Sequence, residues 1–109
     1  MRKLSEVCRY VRSKNAGPFW ITVDLFFENK EYFQIYSDDP GISVKAIAAL
    51  YDVDAALVRR YRIDALNVVK ISFPRNTPQG GAIERDMHSG QQFVPLLTVD
   101  MRGGQDSEI

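Results

Sequence analysis

Apolar and polar positions alternate most cleanly over residues 19–27. Phe19, Ile21, Val23, Leu25 and Phe27 face one way, and Trp20, Thr22, Asp24 and Phe26 face the other. A period of two is the signature of a strand, here with one wholly apolar face. The opposite face mixes apolar residues with Thr22 and Asp24, which suggests partial cover by another element or a subunit. Upstream, Leu4, Val7, Cys8 and Val11 follow the i, i+3, i+4, i+7 spacing of an amphipathic helix, although so short a segment also suits an extended start. Asn15-Ala16-Gly17-Pro18 ends it, because Gly suits a helix stop and Pro cannot continue one.

Beyond the strand, Asn29 is placed to cap a helix over residues 30–36, with Tyr32, Phe33 and Tyr36 as its apolar stripe. Ser37-Asp38-Asp39-Pro40-Gly41 reads as a turn. Ser43 can cap a second helix with Val44, Ile47, Ala48 and Tyr51 inward, and Asp54 a short third one carrying Leu57 and Val58. Residues 65–73 read as a central strand closed by Pro74. Residues 75–92 form a long polar connection, a feature that in compact domains is usually functional or mobile. Residues 93–101 read as a last strand. This set predicts one α+β domain over residues 1–101, followed by a polar tail over 102–109 that is expected to be disordered. The expected architecture is a two-layer, ferredoxin-like variant with helices packed on one face of a mainly antiparallel sheet.

Composition narrows the function classes. The 109 residues carry no formal net charge, and the apolar (45%) and charged (26%) fractions are ordinary for a soluble globular chain. Neutrality argues against nucleic acid, which calls for an excess of Lys and Arg. The local run Arg59-Arg60-Tyr61-Arg62 is the exception, and it reads as a solvated, acid-paired face. The single cysteine, Cys8, excludes an internal disulfide and a multi-cysteine zinc site. It lies on the apolar stripe, a position for a core residue and not for a nucleophile. Residues 4–11 alternate apolar with polar side chains, so no signal peptide is expected, and no apolar run approaches a membrane span. A cytoplasmic location fits.

Candidate chemistry concentrates in two polar segments, each next to an apolar one. In the first, Arg12, Ser13, Lys14 and Asn15 offer donors with no adjacent acid in sequence. With a tight turn at Gly17 they can form a small concavity for a carboxylate or phosphate. The competing reading is a structural turn whose side chains cap neighbouring elements. In the second, Asp86 and His88 stand two apart and can face one way on an extended segment, as orienter and general acid–base. A metal there would need a further ligand such as Asp24 or Glu84, and no metal or cofactor is expected. Gln91 and Gln92 point to opposite faces, so only one can serve a shared site. Asp24, unusual in a strand, is expected to pair with Lys70. Residues 43–60 superficially resemble a helix-turn-helix, but the short second helix and the neutral charge speak against DNA.

Several blocks carry a resemblance: Arg-Ser-Lys-Asn-Ala-Gly-Pro-Phe at 12–19, Ile47-Ala48-x-Leu50-Tyr51-x-Val53, Val69-Lys70-Ile71, and Asp86-x-x-x-Gly90-Gln91-Gln92-x-x-Pro95-Leu96-Leu97. Over roughly residues 4–101 the chain resembles a bacterial small-protein family, domain of unknown function four-three-eight-seven. It is more weakly similar to the C-terminal domain of acyclic terpene utilisation protein A. Arg12-Ser13, Asp86 and Gly90 match that domain. Lys14-Asn15-Ala16 replace its Gly-Asp-Lys, and a glutamine stands at its Lys. The resemblance implies a ferredoxin-like domain beside a larger one, and a subunit in the catabolism of branched acids or their acyl thioesters.

The leading expectation is therefore a small subunit. It would associate with a larger acyclic-terpene-utilisation-like protein, or with itself, and bring both polar segments to a carboxylate site. Arg12 and Lys14 would hold the anion, while Asp86, His88 and a glutamine orient it. On that reading Arg12→Ala weakens binding and leaves stability nearly unchanged. The alternatives are a stand-alone hydratase or lyase using Asp86 or His88, and a structural oligomerisation module.

Overall fold

The computed structural model describes residues 2–75 and 93–103. It is an α+β structure around a four-stranded antiparallel sheet, with strand order β2-β3-β5-β4. The strands are β2 (Cys8–Asn15), β3 (Trp20–Phe27), β4 (Arg59–Ile63) and β5 (Val68–Pro74). A second, two-stranded sheet joins β1 (Arg2–Lys3) to β6 (Asp100–Met101). Among the described residues three α-helices complete the set: the single turn α1 (Leu4–Val7), α2 (Lys30–Tyr36) and α3 (Val44–Tyr51). Two hairpins thus flank a helical stretch, and this connectivity differs from the βαββαβ order of the ferredoxin-like fold. No helix among the described residues is long and apolar enough to cross a membrane.

The apolar face of β3 is the floor of the core. Ile21, Val23, Leu25 and Phe27 are all buried there, with Val69, Ile71 and Phe73 beside them on β5. The helices pack on this side: Phe33 meets Phe27 edge-on, and Tyr51 stacks on Phe73 with 4.2 Å between centroids. The helix starts follow their capping residues. Asn29 Oδ1 accepts from Tyr32 N, and Ser43 Oγ accepts from Ala46 N, so each satisfies an otherwise orphaned donor. Asp54 caps only a 3-10 turn over Ala55–Leu57, in which Leu57 stays exposed while Val58 is buried.

Four expectations need correction. Residues 8–15 are a strand, not a helix followed by a loop. A bulge between Cys8 and Tyr10 inserts one residue, so Cys8 and Val11 both face the core although three positions separate them. Bulged strand and helix therefore share the same apolar spacing here. Arg59 and Arg60, read as the end of a helix pair over residues 43–60, instead open the edge strand β4, Arg59–Ile63. Residues 65–66 belong to a 3-10 turn, and the central strand starts at Val68. Residues 93–101 are mostly a 3-10 helix, Val94–Thr98, with only Asp100–Met101 pairing as strand, and not in the main sheet.

The β2–β3 hairpin turns at Gly17, whose φ of 93° lies in the left-handed region that favours glycine. Asp39 closes the opposite end. It is 2% exposed, its Oδ2 accepts from Gly41 N at 2.8 Å, and its Oδ1 accepts from Arg102 N at 2.8 Å and Gly103 N at 2.6 Å. One carboxylate thereby fastens the turn after α2 to the segment after β6.

Candidate functional site

Because β2 is a strand, its alternation divides the first polar segment between two faces. Arg12 and Lys14 lie opposite Asp24 and Thr22, on the face turned away from the helices. Ser13 and Asn15 lie opposite Val23 and Ile21, on the core side. Gly17 sits in the hairpin turn beyond both. The expected single concavity of Arg12, Ser13, Lys14 and Asn15 is therefore two separate sets. Asp86, His88, Gln91 and Gln92 lie outside the described residues, as does Glu84.

On the core side, both flanks of the second polar segment come to β2. Arg75 donates from Nη1 to Asn15 Oδ1 at 2.7 Å, and Phe93 N donates to Ser13 Oγ at 3.1 Å. The backbone N–H of Arg75 also bonds Phe19 O at 2.8 Å. Arg75 and Phe93, the described residues on either side of 76–92, thus both bond β2, although the strand expected over 93–101 is absent from the main sheet. Arg75 is buried, which is rare for a guanidinium. Sequence reasoning passed over it. Its position one residue beyond Pro74, at the end of a buried strand, was the available signal.

On the other face, successive rows cross the sheet. Tyr10, Phe26, Val68 and Ile63 form one, Arg12, Asp24, Lys70 and Tyr61 the next, and Lys14, Thr22, Ser72 and Arg59 the third. Directly opposed side chains on a sheet are contact neighbours. Thr22 Oγ1 lies 3.2 Å from Ser72 Oγ, and the Tyr10 and Phe26 rings stand 5.4 Å apart. The bulge brings Arg9 onto the same face, 5.9 Å from the Phe26 ring, and Arg12 stands 5.3 Å from that ring. Tyr10 (53%) and Tyr61 (52%) are left widely exposed.

Asp24 is buried on this face, and its Oδ2 accepts from Arg12 Nε at 3.0 Å. Lys70, the expected partner, is its cross-strand neighbour, but the carboxylate's ion pair is with Arg12. Asp24 Oδ1 has no hydrogen-bond partner among the described residues. Arg12 thus compensates a buried charge through its Nε. Arg12→Ala should therefore act on stability, beside the expected effect on binding. The variant should lose about 1–3 kcal/mol of stability, the cost of leaving a buried charged acceptor short of its partner. Arg12→Ala/Asp24→Val should recover most of it, because removing both members of a pair is often close to neutral. Urea unfolding of the two variants measures the difference, and equal losses in both would refute the argument.

Alternation also splits the basic run. Arg60 and Arg62 lie opposite Ile71 and Val69, on the helix side. Arg60 donates to the carbonyls of Ile42, at 2.8 Å, and Ser37, and Arg62 pairs with Asp38 at 2.8 Å. Burial pulls the Arg60 pKa down, partly offset by Asp38. Arg59 and Tyr61 turn to the opposite face. The four residues are therefore not one patch.

Cys8 is buried, and burial, reinforced by the charge of Glu28, pushes its thiol up to about 12. The nucleophilic form, the thiolate, is suppressed in the folded chain. The thiol should resist alkylation at pH 8 and react fully in denaturant. A raised folded pKa gives stability that is present below the unfolded value of 9.0 and lost as pH rises towards about 12. Half-buried Tyr51 shifts in the same direction. Cys8→Ala should flatten the alkaline fall in thermal midpoint without abolishing it.

A family model described as a domain of unknown function (DUF4387) matches residues 4–100. No curated protein and no solved structure matches the chain.

Proposed function

This chain belongs to the DUF4387 domain-of-unknown-function family, and on that footing we propose that it is a small accessory subunit. It docks through the face of its main sheet turned away from the described helices onto a larger, acyclic-terpene-utilisation-like protein that catabolises branched acids or their acyl thioesters. The observation that carries this reading is that face itself. Tyr10 and Tyr61 stand widely exposed on it, with Trp20 and Phe26 partly so. Aromatic side chains and arginine are the residues enriched at protein interfaces and at their energetic centres. Exposed aromatic side chains spread over a regular sheet face suit docking better than solvation.

In this proposal the subunit also lends groups to a carboxylate site. Ser13 and Asn15 mark its edge, since the flanks of residues 76–92 bond to them. Asp86, His88 and one of Gln91 and Gln92 would reach a ligand from that segment. Lys14 remains available to an anion at the docking face, whereas Arg12 is engaged by Asp24. Pull-down of the tagged protein from its native host, with mass analysis, tests the proposal. A stoichiometric larger chain, lost in Tyr10→Ser/Tyr61→Ser, supports it. Recovery of this chain alone sinks the heteromeric reading and leaves self-association.

A further inference from the structure

The zero net charge of the chain conceals a segregation. Among the described strand residues, the sheet face turned away from the helices carries Arg9, Arg12, Lys14, Arg59 and Lys70 against one acid, Asp24. That acid is buried and occupied by Arg12. Other described carboxylates with visible partners lie elsewhere: Asp38 and Asp64 at Arg62, Asp39 inside the turn after α2, and Asp100 at Lys3. We infer that this face docks against an acidic patch on a different polypeptide, an inference that rests on the subunit reading above.

Three observations select that occupant. The first weighs against a second copy: bringing two such faces together would oppose like charges, with no acid on the described strands left to relieve them, and such juxtaposition is strongly disfavoured at interfaces. The second weighs against single-stranded nucleic acid, which stacks its bases on open aromatic faces. Here Phe26 is already approached by the Arg9 and Arg12 guanidinium groups and by the Tyr10 ring. The third is the arrangement of the face. Ile63, Val68, Phe26 and Tyr10 make an apolar row, while Lys14 and Arg59 stand exposed at the two ends of the third row. An apolar strip edged by cations matches a partner whose own apolar strip is edged by Asp and Glu.

Zero-length carbodiimide cross-linking tests this, because it joins lysine only to a carboxylate in direct contact. The wild-type protein is cross-linked during pull-down from its host, and the junctions are mapped. Of the five lysines, Lys14 and Lys70 lie on this face, while Lys3, Lys30 and Lys45 lie elsewhere. The expected result is that Lys14 and Lys70 join Asp or Glu residues of another polypeptide. Lys14→Glu/Arg59→Glu should then cut recovery of that polypeptide at least about tenfold, as expected for reversed rim charges. Its thermal midpoint should stay close to wild type, since neither side chain has an ion pair among the described residues. A partner that co-purifies but joins only Lys3, Lys30 or Lys45, or that is insensitive to the reversal, overturns the inference and leaves the subunit reading standing. Junctions to a second copy of this chain, or nuclease-sensitive nucleic acid in place of a polypeptide, also overturn it. If nothing co-purifies, the subunit reading itself falls.

Discussion

Asp39→Ala is expected to remove about 2–4 kcal/mol, because a buried carboxylate accepting three backbone N–H groups has no substitute there. The loss has two parts. The charge-assisted bonds disappear, and the amides of Gly41, Arg102 and Gly103 are left with a methyl group where their acceptor stood. For a chain of this size the thermal midpoint should fall by roughly 4–8 °C for each kcal/mol. Asp39→Asn should be intermediate. Its one carbonyl oxygen can serve Gly41 or the Arg102–Gly103 pair, but not both. Urea unfolding at unchanged slope measures these differences, and a loss below about 0.5 kcal/mol for Asp39→Ala, the size of an ordinary surface substitution, would refute the fastening role.

Gly41→Ala should cost about 3 kcal/mol, at the upper end for overpacking. The added Cβ would collide with the carbonyl oxygen of Asp100, and would stand 3.0 Å from Asp39 Oδ2 and 3.2 Å from Val99 Cγ1. A backbone oxygen cannot swing aside as a flexible side chain does. Relief would require β6 to move away from the turn, disturbing its pairing with β1. The effect is one of contact and not of conformation, since Gly41 is not among the positive-φ glycines. Because both substitutions loosen the same junction, Asp39→Ala/Gly41→Ala should lose less than the sum of the single losses. Full additivity, measured in the same urea series, would show that the two residues act at independent places.

Features settled by neighbours in sequence were readable without coordinates. Asn29 and Ser43 cap the helices they were expected to cap, and Asp54 caps a 3-10 turn in place of the expected helix, because a capping bond spans only two or three residues. Strand β3 was readable because one of its faces is uninterrupted hydrocarbon. Strand β2 was not, since its bulge sets apolar positions at helical spacing. Strand β4 was hidden for another reason. An edge strand is often charged to discourage further pairing, and Arg59, Arg60 and Arg62 remove the alternation that would announce it. The candidate site suffered from the same misreading. With residues 12–15 taken as a loop, Arg12 had no visible acid, although Asp24 stands opposite it once the hairpin is formed. The division of Arg12 and Lys14 from Ser13 and Asn15 follows from the same strand. The contacts of Asn15 with Arg75 and of Ser13 with Phe93 span 60 and 80 positions, beyond the reach of any local pattern.

The pairing of β1 with β6 bears on how the chain unfolds in time. Lys3 and Asp100 meet across 97 positions, so their contact closes almost the largest loop the chain can form. Loop closure on that scale has to be paid in entropy before the contact returns anything, which favours its formation after the two hairpins. Interactions completed after the folding barrier slow unfolding without hastening folding. Asp39 and Gly41 therefore belong to the lifetime of the folded chain. Weakening either should steepen escape from the native state and leave the rate of its formation almost unchanged.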